Sequence, residues 1–102
     1  MPSRDFPSMR AFYPFYLGQH RDRTCRRLHF IGTSLSLLIA IAGIVSGHGW
    51  LFLLALLQGY AWAWIGHFFF EHNRPATFSH PLYSFIGDWW MWADILRGRI
   101  RF

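Results

Sequence analysis

Two long apolar runs dominate the pattern of the chain. Residues 28–46 read LHFIGTSLSLLIAIAGIVS, and residues 50–70 read WLFLLALLQGYAWAWIGHFFF. Each approaches the roughly 20 residues that an α-helix needs to cross about 30 Å of hydrocarbon. Only Gly47, His48 and Gly49 separate them, a breaker triplet suited to a tight turn between antiparallel helices. No charged residue occurs from Leu28 to Phe70, so a soluble helical hairpin built from this stretch would lack a solvated face. In lipid every backbone polar group must pair within its own segment, which predicts helices and not strands.

Shorter segments flank the two runs. Residues 8–19 include AFYPFYLGQ, with Pro14 placed to bend a helix or open its first turn. Residues 81–96 read PLYSFIGDWWMWADIL and set Asp88 and Asp94 among large rings. Both read as interfacial or partly inserted helices. The expected fold class is an all-α membrane protein, a two-helix transmembrane hairpin flanked by two shorter helices. A four-helix bundle of all four segments is compatible with the pattern. The expected organisation is a single integral membrane domain over residues 1–102.

Composition supports the membrane reading. Apolar residues make up 53% and charged ones 15%, below the quarter usual for soluble chains. Aromatics reach 21%, a bias expected where rings sit at headgroup level or line an apolar pocket. The ten basic residues are all Arg, which reads as the codon bias of a GC-rich bacterial genome. A net charge of +5 raises nucleic acid as a partner, but these arginines bracket an apolar core and line no single face. No nucleic-acid partner is expected.

Arg21, Arg23, Arg26 and Arg27 precede the first run, Arg74, Arg97, Arg99 and Arg101 follow the second, and the turn carries none. The positive-inside rule then expects both termini in the cytoplasm and a multi-pass protein of the bacterial inner membrane. The lone Cys25 excludes an internal disulfide. No apolar segment precedes Met9, so a cleaved signal peptide is not expected.

Candidate chemistry lies with the histidines. A hairpin turning at His48 sets residues equidistant from it side by side, which pairs His29 with His67. His20 and His72 fall just beyond the helix ends on the same side, and His80 can fold back after a short loop. His48 itself lies almost a membrane's width away and reads as a plain loop residue. On the second helix Tyr60, Trp64, His67 and Glu71 follow i, i+4, i+7, i+11 spacing and share one face. Several imidazoles plus a carboxylate, with positions left open, describe a non-haem iron centre. Glu71 is almost equally suited to an ion pair with Arg26 or Arg74. A b-type haem between His29 and His67, a lipid-directed zinc hydrolase and a non-catalytic membrane adaptor are the alternatives. There is no CxxC pair, GxSxG elbow, P-loop or glycine-rich dinucleotide fingerprint.

The segments FYPFYLGQH, RRLHFIGT, GYAWAWIGHFFFEHNRPATFSHP and GDWWM resemble the Mpo-like family of membrane proteins, over nearly the whole chain. Its fungal member is an iron(II)-dependent dioxygenase that shortens 2-hydroxy fatty acids by one carbon. The resemblance implies an Fe(II) cofactor, with a 2-hydroxy fatty acid, dioxygen and membrane lipid as partners. By position it implies metal ligation by His20, His29 and His67, with Glu71 four residues on. The fungal sequence lacks counterparts of His72 and His80, so His72, His80 and Glu71 all remain open as the fourth ligand. In that setting Arg74 is expected to steer the substrate carboxylate, and Asn73 and Thr77 to orient water or substrate. The acyl chain is expected along Tyr60, Trp62 and Trp64, or in the bilayer itself.

Overall fold

Asp22 and Gly47 bracket the longest helix of the protein. In the computed structural model, which describes residues 6–102, α2 runs Arg23–Ser46. The Asp22 carboxylate accepts the Cys25 N–H at 3.0 Å and caps the first turn. Gly47 ends the helix in the left-handed conformation (φ 74°), which glycine adopts without a Cβ clash. Helix α3, Trp50–Ile65, returns antiparallel and continues as a π-helical segment, Gly66–Glu71. The hairpin is the expected one, except that α2 starts before Leu28 and takes Arg23, Arg26 and Arg27 into its first turns.

The flanking segments are helical too. Helix α1, Met9–Gly18, is capped by Ser8, whose Oγ accepts the Ala11 N–H at 3.1 Å. Pro14 sits inside α1 and does not open its first turn. A short 3-10 turn, Ala76–Phe78, leads to α4, Pro81–Leu96, where Pro81 fills a first-turn position that needs no N–H partner. No strand occurs among the described residues.

Burial divides these elements into two kinds. The buried core lies between α1, the 3-10 turn and α4, and consists of Phe12, Tyr16, Ala76, Met91 and Ile95. Two tyrosines lock it: the Tyr13 hydroxyl donates to Asp94 at 2.7 Å and the Tyr16 hydroxyl donates to Asp88, which sets α1 antiparallel to α4. Trp92 Nε1–H then donates to Ser34 Oγ at 2.9 Å and ties α4 to α2.

The hairpin behaves differently. Only 17% of the apolar window of α2 and 22% of that of Trp50–Glu71, α3 with its π-helical extension, are buried, and Leu38, Ile44, Val45 and Leu53 face outward. A soluble core helix buries most of such a window, and a soluble monomer rarely exposes so large an apolar surface. Both α2 and the continuous stretch Trp50–Glu71 are long and apolar enough to cross a membrane. Their seam uses small residues and partly buried polar bonds, as helix pairs in lipid do. A Cβ on Gly32 would stand 2.8 Å from Trp62 Cβ, and the Gln58 amide donates to Gly32 O at 3.0 Å and Ser36 Oγ at 2.6 Å.

Candidate metal centre

Three separate elements deliver one histidine each. His20 lies in the link between α1 and α2, His29 in the second turn of α2, and His67 in the π-helical segment. The antiparallel return puts the His29 and His67 rings 4.8 Å apart, and His20 closes the triangle at 4.4 and 4.5 Å. All three are buried, and one ring nitrogen of each lies within 4.8 Å of the others.

Each ring is oriented through its Nδ1. His20 Nδ1 bonds Tyr16 O at 2.7 Å, His29 Nδ1 bonds Cys25 O at 2.8 Å, and His67 Nδ1 bonds Asn73 Oδ1 at 2.7 Å. A carbonyl oxygen can only accept, so each Nδ1 carries the proton and each Nε2 keeps its lone pair. Asn73 is itself held, because its Nδ2 donates to Gln19 O and Oε1 at 3.1 and 3.2 Å. Outer partners of this kind fix the tautomer and direction of metal-binding histidines.

This arrangement sets two acceptors against each other. His20 Nε2 and His29 Nε2 face each other at 3.1 Å with two lone pairs and no proton between them. Burial, then the neighbouring imidazoles of His29 and His67, holds His20 well below the usual histidine range, so protonation does not relieve the clash. A cation does. Two nitrogens bound to one ion at about 2.1 Å each can stand at most about 4.2 Å apart, and the 3.1 Å pair falls inside that limit. The facing pair therefore fits a metal ion, and with one nitrogen of each ring within 4.8 Å of the others His67 needs only a small inward shift to join it.

The neighbouring groups shape a small chamber. The Tyr16 ring stacks on His20 at 4.1 Å, and its hydroxyl reaches Asp88. Gly87 makes that stacking possible, since a Cβ there would stand 2.8 Å from Tyr16 Cδ2. Burial raises the Tyr16 hydroxyl well above its usual value and raises the Asp88 carboxyl to about 7. A space of about 10 Å³ beside the histidines is lined also by Tyr60, Trp64, Thr77, Ser84 and Asp88. Ser84 Oγ is buried with no hydrogen-bond partner among the described residues. A larger cavity of about 190 Å³ adjoins this space and shares His29, Tyr60, Ala63 and Asp88 with it.

The expected site residues divide accordingly. His20, His29 and His67 converge, and Tyr60, Trp64 and Thr77 line the chamber. His72 does not join them: it is exposed and ends the π-helical segment at φ 59°, where the chain turns away. His80 is buried elsewhere, against Phe6, Phe12 and Phe15, with Nδ1 2.7 Å from Ser79 Oγ. The Glu71 carboxylate accepts the Asp22 N–H at 2.6 Å and so clamps the start of α2, away from the three-histidine group. Arg74 is exposed over the Phe78 ring at 5.9 Å and lines neither cavity. Asn73 turns its amide to His67 and Gln19.

Tyr16, Gln19, Ser84 and Asp88 were not singled out by sequence as parts of the site. Asp88 carried a usable signal, a carboxylate inside an aromatic helix, whereas the others depend on α1 docking against its neighbours.

Fold and site together define a helical protein with two helices able to cross a membrane and a buried three-histidine group compatible with metal binding. The chain belongs to the 2-hydroxy-palmitic acid dioxygenase Mpo1-like family, whose model matches residues 6–100. No curated protein and no solved structure matches it.

Proposed function

We propose that this chain is an integral membrane, iron(II)-dependent dioxygenase that converts a 2-hydroxy fatty acid and dioxygen into the acid one carbon shorter, carbon dioxide and water. The observation that carries the reading is the facing pair of Nε2 atoms on His20 and His29, 3.1 Å apart, in a member of this family. His67 completes the ligand triangle. An iron(II) ion held there would supply a centre at which a chelating hydroxy acid and dioxygen meet.

The chain's own groups do the rest. Asp88 stands where the two cavities join, and there it would accept the hydrogen bond of the substrate's 2-hydroxyl and take its proton. Tyr16 holds Asp88 in place through its hydroxyl. Tyr60, Trp64 and Thr77 wall the chamber from water. Among the described residues no arginine lines either cavity, so the metal would carry the main electrostatic attraction for the carboxylate. The space of about 10 Å³ suits single atoms and disfavours a porphyrin between the rings. The arginines gather at the histidine end of the hairpin, which supports a site at the cytoplasmic surface with both termini on that side.

The test is turnover by purified protein in lipid nanodiscs, loaded with iron(II) and supplied with oxygen and 2-hydroxypalmitic acid. The expected result is release of carbon dioxide and pentadecanoic acid, lost on chelation and in His29→Ala. Absence of metal-dependent chain shortening would sink the proposal.

A further inference from the structure

The larger cavity begins at the metal centre and continues away from it. From the shared residues His29, Tyr60, Ala63 and Asp88 it passes Ser36, Ala55 and Gly59 and reaches Ala40 and Phe52. His29 to Ala40 is eleven residues of α2, or roughly 16 Å of helix at about 1.5 Å each. Small side chains on the facing helices open this groove, and Phe85 and Trp89 of α4 form its outer wall near the centre.

Phe52 bounds its far end. Phe52 lies against Gly43, close enough that a Cβ there would stand 3.3 Å from Phe52 Cε2. A Cβ at 43 would be tighter than ordinary contact and would require the ring to give way slightly. Phe52, Leu56 and Phe85 each line the groove and are also exposed on the apolar outer surface, so it opens sideways towards lipid.

We propose that this groove binds the acyl chain of the substrate, and that Phe52, seated on Gly43, is the stop that limits chain length. The inference rests on the fatty acid reading of the site and adds the path and limit of the chain. A single alkyl chain is the occupant that fits, since the groove is narrow, mostly apolar and continuous at one end with the metal chamber. Trp62 is not its wall, being packed over Gly32, and Trp64 packs towards Phe68 and Phe78.

Selection here is steric. A chain moving from bilayer to groove exchanges one apolar surrounding for another and gains little hydrophobic free energy. Discrimination arises when the terminal carbons meet Phe52 and must bend out through the lateral opening.

The experiment uses the full chain in phosphatidylcholine nanodiscs and palmitic acid carrying a terminal diazirine, with labelled residues read by mass spectrometry. Label on Ala40, Phe52 or Ala55 is expected. Ala55→Phe, which fills the middle of the groove, is expected to lower that labelling about tenfold. Phe52→Ala, at a position open to lipid, tests the stop should Ala55→Phe not fold. It is expected to let eicosanoic acid displace the probe as well as palmitic acid does, whereas in the unaltered protein eicosanoic acid competes less well. Label on outward residues such as Leu38 or Leu53, or equal competition by both acids in the unaltered protein, would overturn the inference. No turnover is read. Groove labelling in a protein that never shortens 2-hydroxy acids would sink the dioxygenase alone, and turnover with label only on the outer face would sink the groove alone.

Discussion

Nε2 of His20 and Nε2 of His29 are 3.1 Å apart while both Nδ1 atoms are committed to backbone carbonyls. Neither ring can turn to offer a proton without breaking a buried hydrogen bond. Replacing His29 or His67 by Ala should therefore abolish stoichiometric metal after dialysis, whereas His72→Ala should retain it. Metal content by mass spectrometry distinguishes the two, and equal loss in His72→Ala would contradict the ligand set.

Asn73 would act on a bound metal through His67. Asn73→Ala leaves the His67 Nδ1–H without its acceptor and frees the ring to turn. Metal affinity should fall about 10- to 100-fold. Competition against a chelator of known affinity measures it, and an unchanged constant would show that His67 is held by packing alone.

Glu71 offers a clean separation of fold from chemistry. Its carboxylate accepts the Asp22 N–H at 2.6 Å, a charge-assisted bond at the start of α2. Glu71→Ala should cost about 1.5–3 kcal/mol of stability and leave the metal stoichiometry intact. Loss of metal without loss of thermal stability in detergent would restore Glu71 as a ligand.

Asp88 predicts a pH dependence with a definite sign. Its folded value of about 7 lies above the unfolded value of 3.8, so the folded protein holds the proton longer. The stability it contributes is full below about 3.8 and is lost as pH rises through about 7. Asp88→Asn should flatten that part of the profile. Thermal denaturation in detergent from about pH 4 to about pH 8, which spans the interval from 3.8 to about 7 that linkage sets, reads the difference, and identical slopes would refute it.

Gly87 tests the same corner by shape. A Cβ there would stand 2.8 Å from the Tyr16 ring, which is wedged between α4 and His20. Gly87→Ala should cost about 1–3 kcal/mol and loosen His20. Thermal stability and metal content measured together check both effects.

The central pairing was legible because two apolar runs of near-equal length surround a short breaker, so the distance of each residue from His48 sets its place along the hairpin. His29 and His67 follow from that count alone. His20 was legible by proximity, since the link after α1 is too short to carry it away. His72 and His80 were misplaced for local reasons that spacing does not encode: a left-handed residue at a helix end, and a cluster of phenylalanines on and just before α1 that packs against an imidazole. Glu71 shared the expected face of the helix, but the N–H of Asp22 lies nearer to it than the metal chamber does. Tyr16 and Asp88 meet only after α1 packs on α4, and no periodicity within either helix announces that contact.

The wide turn at Gly66–Glu71 has an evolutionary corollary. Its rings close one residue later than those of an α-helix. Deleting a residue just after His67 would restore regular winding, and judged by backbone geometry alone it would be an improvement. It would also swing Asn73 away from the imidazole it steadies. Natural shortening at this point should therefore be rare among working members, and an engineered one should yield a sturdier helix with an idle site.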